Sequence, residues 1–259
     1  MFSFTFPATI RYRRYCVLTS LCLLVSMPTT AQSLITLNAN GHSAAAVSLQ
    51  YAEPVRLAHV ISDSLKQRTM TETPYWLGSS LSTTTEPQTK SVLIKQLTQL
   101  SQQHRDDASA SESFANTAQW LQQHIKTQRL PVTIDIDKAR LNKKDNPLLS
   151  GNYQLLLANR PTSVTIIGAI EKPLSIKWQP RIAAKDYLDH VMPIDIAANS
   201  TVTVIQPDGV MQQHPIAYWN NNHNDIAPGA IIYLGYQSLF HDYSDLNHAI
   251  SSMLINRTL

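Results

Sequence analysis

The first part of the chain alternates hydrophobic and polar positions, and the spacing then changes to that of a helix. Residues 34–38 and 46–50 form two short β-type runs around Asn40-Gly41, which is a strong pattern for a β-hairpin. Pro54 follows, and the apolar residues after it recur at helical spacing. Proline is favoured in the first turn of a helix, because the N–H that it lacks has no partner there. The pattern predicts a strand–turn–strand–helix unit.

The same order occurs again in the second half of the chain. Residues 160–170 and 174–178 predict two strands, and a helix follows Pro180. Residues 201–205 and 230–235 predict two more strands. This is the element order of a β-grasp unit, in which one helix packs across a small mixed sheet. The sequence therefore predicts an α+β protein with two β-grasp domains.

A different pattern separates the two units. Residues 89–103 and 113–127 each place apolar side chains on one helical face, and the polar stretch 105–111 lies between them. We interpret the pair as an antiparallel helical hairpin inserted into the first domain. The segment 129–135 is predicted to return to β structure, and residues 153–158 to form a further strand.

The chain ends in an amphipathic helix, predicted over residues 242–257 with Asp242 or Ser244 as its cap. We expect this helix to dock on its own domain. The alternative is a detachable arm that binds a partner or a membrane, and the lack of a basic polar face argues against a membrane. The predicted divisions are a signal peptide at 1–31, a first β-grasp domain at 32–158 with its hairpin at about 89–127, a second β-grasp domain at 159–241 and a C-terminal helix at 242–259.

The N-terminal segment has the three parts of a secretory signal peptide. Arginines occur between positions 11 and 14, an apolar core spans residues 16–25, and small residues occupy 29–31. A buried N-terminal helix of a cytosolic protein is the alternative. Removal of the segment takes away Cys16 and Cys22, so the exported chain has no disulfide, thiolate nucleophile or cysteine-ligated metal. We predict an exported protein.

Charge excludes one class of partner. The chain has 21 Lys+Arg and 18 Asp+Glu, a net charge of +3, and Arg11, Arg13 and Arg14 lie in the acid-free first 31 residues. The remainder is therefore neutral, whereas a nucleic-acid binder needs a basic surface. The sequence has no second apolar stretch of membrane-spanning length. It also lacks the common phosphate-loop and nucleophile-elbow motifs, and we predict no cofactor.

Asp135 and Asp137 form a candidate catalytic pair. They are two positions apart, so on a strand they share one face, and paired carboxylates hydrolyse glycosidic bonds in many enzymes. The competing interpretation is that these residues cap backbone N–H groups at a turn, and we favour it.

A second cluster combines histidine, aspartate and aromatic residues. His223, Asp225, His241 and Asp242 are metal-ligand types, but they lack the spacing of a metal motif, so we predict no metal site. Trp219 lies in an Asn-rich stretch and is the better surface candidate for stacking on a sugar. Trp120 and Trp178 are expected to pack in a core, and Trp76 remains without an assigned role. We expect Trp219, Asn220 and His223 mainly to fix a loop of the second domain, with ligand contact as the alternative.

Several sequence blocks occur in order from residue 128 to the C-terminus. They are Arg129-Leu-Pro-Val, Arg160-Pro-x-x-Val-Thr-Ile-Ile-Gly-Ala, Asp186-Tyr-Leu, Pro207-Asp-Gly, Pro215-Ile-Ala-Tyr-Trp-Asn followed by His223, and Pro228-Gly-Ala-Ile-Ile-Tyr-Leu-Gly-Tyr. In combination they resemble the GfcC family of capsule-biosynthesis proteins. Before residue 128 the similarity is one of architecture only.

The resemblance implies a periplasmic protein whose β-grasp domains are SLBB-like, similar to those of outer-membrane polysaccharide exporters. It implies a role in the assembly or export of capsular or O-antigen-type polysaccharide, without an assigned reaction. The partners would be the polysaccharide or its export proteins. The family's motif arginine lines a cleft and corresponds to Arg129, with Asp135 and Arg140 nearby. We therefore expect a non-enzymatic accessory protein that binds glycan or docks on the envelope export machinery. The alternatives are a hydrolase using Asp135 and Asp137, and a scaffold that binds only proteins.

Overall fold

Two β-sheets organise the residues that the computed structural model describes, which are 33–39, 47–67, 73–217, 219 and 224–259. The strands are β1 (Ser33–Ala39), β2 (Val47–Tyr51), β3 (Val55–Arg56), β4 (Ser80–Thr83), β5 (Leu148–Leu149), β6 (Asn152–Leu157), β7 (Ser163–Gly168), β8 (Leu174–Lys177), β9 (Thr201–Ile205), β10 (Met211–Pro215) and β11 (Ile231–Leu234). The helices are α1 (Leu57–Gln67), α2 (Lys90–Gln103), α3 (Ala108–His124), α4 (Ile136–Leu141), α5 (Ala184–Leu188) and α6 (Ser244–Leu254). The predicted α+β class is confirmed.

The first sheet has the strand order β2-β1-β6-β4. Strand β1 is antiparallel to β2, with Ile35 opposite Leu49, and parallel to β6. This pairing confirms the two strands of the predicted N-terminal hairpin, whose Asn40-Gly41 turn lies outside the described residues. The hydrophobic core beside the first sheet includes Leu57 and Ile61 from α1, and Leu155 from β6. The short pair β3–β5 forms a separate two-stranded sheet.

The second sheet has the order β10-β9-β11-β7-β8, with β7 parallel to β11 and antiparallel to β8. All four residues of β11 are buried. Because successive strand residues point to opposite faces, both faces of this central strand are covered. Strand β10 was not predicted. It is an edge strand on which three of the five residues are exposed, so no hydrophobic alternation marks it.

The helical hairpin exists, but its second helix begins earlier than predicted. Helix α3 starts at Ala108 rather than Ser113, because the Asp107 side chain accepts a hydrogen bond from the Ala110 N–H at 3.0 Å and caps the helix. The buried Lys90 side chain closes the hairpin. Its Nζ donates to the Ile125 carbonyl at 2.5 Å and pairs with Glu86 at 2.8 Å.

The hairpin, predicted as an insertion into the first domain, packs in the core of the second sheet. Phe114 of α3 is fully buried and stacks on Tyr236, with ring centroids 4.4 Å apart. The Tyr236 hydroxyl lies 3.2 Å from Ser113 Oγ and 3.0 Å from Thr117 Oγ1. Ser113 Oγ also donates to the carbonyl of Gly168 on β7 at 2.9 Å. The helical hairpin therefore belongs to the first half by its position in the sequence, and to the core of the second sheet by its contacts.

Residues 129–135 do not form the predicted strand. Only an isolated bridge between Ser82 and Arg129 links this segment to β4, and α4 follows at once. Pro131 explains why pairing stops, since proline has no N–H to donate to a ladder.

The C-terminal helix α6 docks on the second core, as predicted. Leu246, Ile250 and Leu254 are buried there together with residues of β9 and β11. Tyr243 occupies the N-cap position, and the Asp242 carboxylate accepts a hydrogen bond from the Ser244 N–H at 2.8 Å. Among the residues described, no helix has the length and apolar character needed to cross a membrane.

Candidate functional site

A cleft of about 600 Å³ lies between parts of the first and second halves of the chain. One wall contains Trp76, Leu77 and Ser79, in and just after the 3-10 turn that precedes β4. The other walls come from three further segments. They are residues 129–135 with Lys138, residues 208–210, and Ile255 just after α6. A site built from four separated segments exists only in the folded chain.

The backbone of Arg129 is fixed from two sides. On one side, the neighbouring residues pair with β4: the Leu130 N–H donates to the Leu81 carbonyl at 2.8 Å, and the Thr83 N–H donates to the Gln128 carbonyl at 2.9 Å. On the other side, the Arg129 N–H donates to Asn256 Oδ1 at 2.9 Å. This arrangement sets the direction in which the arginine side chain leaves the backbone.

The guanidinium of Arg129 is held by neutral carbonyl groups. Nη1 donates to the Pro207 carbonyl at 2.7 Å, and Nη2 donates to the Ser79 carbonyl at 3.4 Å. Burial lowers the pKa of Arg129, and Asp208 opposes that shift. No carboxylate in the described part of the chain comes within ion-pair distance of Arg129. The side chain is therefore a positioned cation whose charge is not neutralised by a direct ion pair.

The turn that meets Arg129 depends on Gly209. This glycine has φ +89°, and an added Cβ would lie 3.1 Å from Ile255 Cγ2 and 3.7 Å from Arg129 Nε. The Gly209 N–H donates to the Gln206 carbonyl at 2.9 Å, and the Val210 N–H donates to Asp208 Oδ1 at 3.0 Å. Glycine adopts this backbone conformation without steric cost. The turn can therefore approach Arg129 closely and present the Pro207 carbonyl to it.

Asp135 lines the cleft, but its carboxylate is engaged in capping. Its Oδ1 accepts hydrogen bonds from the N–H groups of Asp137 at 3.0 Å and Lys138 at 3.2 Å, at the start of α4. Asp137 is exposed and does not line the cleft. Catalysis by this pair needs both carboxyl groups beside the scissile bond. The cleft brings only one of them to its surface.

Two family models match the chain over most of its length. The model described as "Capsule biosynthesis GfcC, N-terminal" matches residues 31–160, and the model described as "Capsule biosynthesis GfcC C-terminal" matches residues 172–258. This chain belongs to the GfcC capsule biosynthesis family. The first matched region contains the first sheet, and the second contains every strand of the second sheet except β7, which lies between the two regions. The cleft receives residues from both matched regions.

A relative in Escherichia coli (strain K12) has the name "Uncharacterized protein YjbG". It is 33% identical over 165 residues, which cover 62% of this chain and 66% of YjbG. The matched region thus spans slightly less than two thirds of that relative. That name states no substrate or reaction.

The other predicted site residues lie outside the cleft or outside the described structure. Arg140 is exposed on α4 and does not line the cleft. Trp219 is 77% exposed and is also absent from the lining. Asn220 and His223 lie outside the described residues. Within the described ranges, no group of three or more His, Cys, Asp or Glu side chains is arranged to hold a metal ion.

Sequence reasoning did not assign Trp76, Asp208 or Ile255 to the site. Trp76 lies in a 3-10 turn, where no periodicity reports which way a side chain faces. Asp208 belongs to a turn motif whose partner, Arg129, is far away in sequence. The available clue to Trp76 was a tryptophan two residues before a glycine in a short irregular stretch.

Proposed function

We propose that this GfcC-family chain is a periplasmic accessory protein that binds a surface polysaccharide of the capsular or O-antigen type during its assembly or export. Membership of the family establishes the connection with capsule biosynthesis. Glycan binding in the cleft, the periplasmic location and the absence of catalysis are our proposals. The N-terminal pattern of arginines, apolar core and small residues supports export.

We further infer that each sheet belongs to a β-grasp unit similar to those of polysaccharide export channels. In each sheet, the first strand of a hairpin lies beside the last strand and parallel to it, as in the pairs β1–β6 and β7–β11. In each sheet, that last strand also pairs antiparallel with the strand that follows the helix, as in β6–β4 and β11–β9. This shared strand order supports the assignment.

The observation that carries the glycan proposal is the Arg129 guanidinium in the cleft. A planar guanidinium forms directed hydrogen bonds to carboxylate and phosphate groups, which acidic polysaccharides contain. Only neutral carbonyls contact it directly, so an anionic group can approach without displacing a carboxylate. Trp76 and Leu130 supply apolar surface in the same cleft, as a sugar ring requires.

A second candidate function, docking on the export machinery, rests on the loop between β11 and α6. Leu239 is 97% exposed and Phe240 is 90% exposed. Two adjacent large apolar side chains in water are typical of a protein contact site. The two activities are compatible, because this loop does not line the cleft.

The test is calorimetric titration of the purified protein with the surface polysaccharide of its own host. The full chain should be expressed in that host, so that any processing takes place there. Wild type should bind, and Arg129→Ala should bind at least 10-fold more weakly, since a hydrogen bond to a charged group contributes about 1.5–3 kcal/mol. Arg105→Ala is the matched control. Arg105 is an exposed residue of the hairpin loop, it carries the same charge, and it does not line the cleft. Absence of binding by the folded wild type, or an equal loss in the control, would contradict the proposal.

The hydrolase alternative has its own test. Asn replaces Asp effectively as a helix cap, so Asp135→Asn should preserve the start of α4 while removing the carboxylate. We expect no release of reducing ends from the polysaccharide by wild type or variant. Release by the wild type that Asp135→Asn abolishes would favour the hydrolase.

A further inference from the structure

A second groove lies outside the cleft, beside the edge of the second sheet. Its volume is about 410 Å³, and Trp120 and His124 from the end of α3 form one wall. Ser163 and Thr165 of β7 and Ser175 of β8 bring hydroxyl groups to it. Further lining residues are Pro161, Pro173, Leu174, Gly229 and residues 257–259.

The cationic group of this groove is Arg257. Its Nη2 donates to the Gly229 carbonyl, and no described carboxylate lies within ion-pair distance of it. Burial, with a smaller contribution from the positive charge of Arg129, lowers the pKa of Arg257 to about 10. It is therefore still protonated at neutral pH. A partly buried cation without a direct ion pair is costly, and an anionic ligand would reduce that cost.

The aromatic wall gives the groove a flat apolar surface. The rings of Trp120 and His124 stack with centroids 4.3 Å apart and an interplanar angle of 13°. Trp120 also packs against the second core, which holds the pair in place. A flat apolar surface, several hydroxyl groups and a guanidinium together match a sugar ring that carries an acidic substituent.

We propose that this groove binds an acidic sugar residue, with the Arg257 guanidinium contacting its carboxylate and its ring lying against the Trp120–His124 wall. The site shares no lining residue with the cleft. The two sites can therefore be tested separately.

The indole N–H signals of the full chain in a ¹⁵N–¹H correlation spectrum separate the two sites. Trp120 reports on the groove and Trp76 on the cleft, while Trp178 and Trp219 line neither. The probe is a tetrasaccharide of alternating glucuronic acid and N-acetylglucosamine. A tetrasaccharide of N-acetylglucosamine and inorganic phosphate serve as neutral and sugar-free controls.

We expect the acidic tetrasaccharide to shift the Trp120 signal saturably and the two controls to shift it little. Equal shifts with the neutral sugar would overturn the role of charge, and equal shifts with phosphate would overturn sugar recognition. A shift of Trp76 alone would overturn the groove site and leave the cleft proposal standing. No shift of Trp120 overturns the groove site irrespective of what happens at Trp76.

Substitutions provide a second test that does not disturb the core. Ser175→Glu places a negative charge in the groove on an exposed position of β8, and we expect it to weaken binding about fivefold to tenfold by repulsion. Gln179→Glu makes the same change of charge on an exposed residue just beyond β8, outside the groove, and should leave affinity within twofold. Arg257→Gln should reduce affinity at least 10-fold, with the dispersed indole signals as the check on folding. Equal affinities for the Ser175→Glu and Gln179→Glu variants would contradict the proposal.

Discussion

The two halves of the chain share a strand order and differ in one connection. In the second half, the turn at residues 206–210 joins β9 directly to β10. In the first half, the corresponding connection runs from β4 through α2 and α3 to residues 128–130, which return to pair with β4. A tight turn in one half is thus replaced by a helical hairpin in the other.

This difference links the two halves physically. The hairpin places Leu97, Phe114 and Leu121 in the core of the second sheet. At the end of the same connection, Arg129 donates a hydrogen bond to Pro207 in the turn of the second half. The cleft forms where the two unlike connections meet. A change in either connection should therefore affect both the stability of the second half and the cleft.

The largest expected effect is that of Phe114→Ala. Removing this fully buried ring from the hairpin should lower the free energy of unfolding by about 3–5 kcal/mol, because a cavity remains beside Tyr236. Urea denaturation measures this change. Val92→Ala on the same hairpin is the control, because Val92 is exposed, and it should cost less than about 0.5 kcal/mol.

Hydrogen exchange then shows which half depends on the hairpin. Phe114→Ala should reduce amide protection in β11 of the second sheet more than in β1 of the first. Equal loss in both sheets would mean that the chain unfolds only as a whole. Loss confined to β1 would contradict the assignment of the hairpin to the second core.

The next effect concerns Tyr236, which links the hairpin to the second sheet. At pH 9, Tyr236→Phe should destabilise the protein by about 1–2 kcal/mol, because Thr117 loses a buried hydrogen-bond partner. Burial raises the pKa of Tyr236 to about 12. Between pH 10 and 12 the unfolded chain therefore releases this proton and the folded chain keeps it, so wild-type stability falls as the pH rises.

The variant lacks that titration, so its deficit should shrink between pH 9 and pH 11.5 in urea denaturation. Tyr51 provides the comparison in the first half. Burial, with contributions from Asp63, also raises its pKa to about 12, but its hydroxyl bonds to Asp63 near the surface. Tyr51→Phe should therefore change the pH dependence in the same direction. A deficit for Tyr236→Phe that stays constant with pH would contradict the shifted titration.

An effect on stability no larger than that of Tyr236→Phe is expected for Gly209→Ala in the turn of the second half. Gly209 and Gly151 both have positive φ, at +89° and +111°, so alanine at either position should cost about 1–2 kcal/mol. Only at Gly209 does the added Cβ meet other atoms, since nothing lies within 4 Å of it at Gly151. Gly209→Ala should therefore also weaken polysaccharide binding severalfold in calorimetry. Equal affinity of Gly209→Ala and Gly151→Ala for the polysaccharide would show that the turn does not contribute to binding in the cleft.

Much of the secondary structure follows from the local pattern of the sequence. The hairpin β1–β2, the helices α1, α2 and α6, and the central strand β11 were predicted from periodicity, because burial of one face or of a whole strand leaves a regular pattern. Helix α3 was predicted with a late start, because the capping role of Asp107 was not recognised. Strand β10 was missed because an exposed edge leaves no such pattern.

The cleft could be predicted only in part. Arg129 was identified because its Leu-Pro-Val context resembles a GfcC-family motif, and Asp135 because of its carboxylate. Trp76, Asp208 and Ile255 were not identified. Their contributions arise from packing between segments that are far apart in the chain, and local periodicity carries no record of such contacts.

The sequence by itself determined the α+β class, the order of most elements and the candidate arginine, because each depends on neighbouring residues or on a short motif. The tertiary structure alone decided that the hairpin packs on the second sheet and that Arg129 meets Pro207. An apolar helix face is stabilised by packing on any apolar surface of matching shape, because hydrophobic burial is not directional. The surface on which the helix packs is selected by shape complementarity in the folded chain and by specific hydrogen bonds, such as those of the Tyr236 hydroxyl.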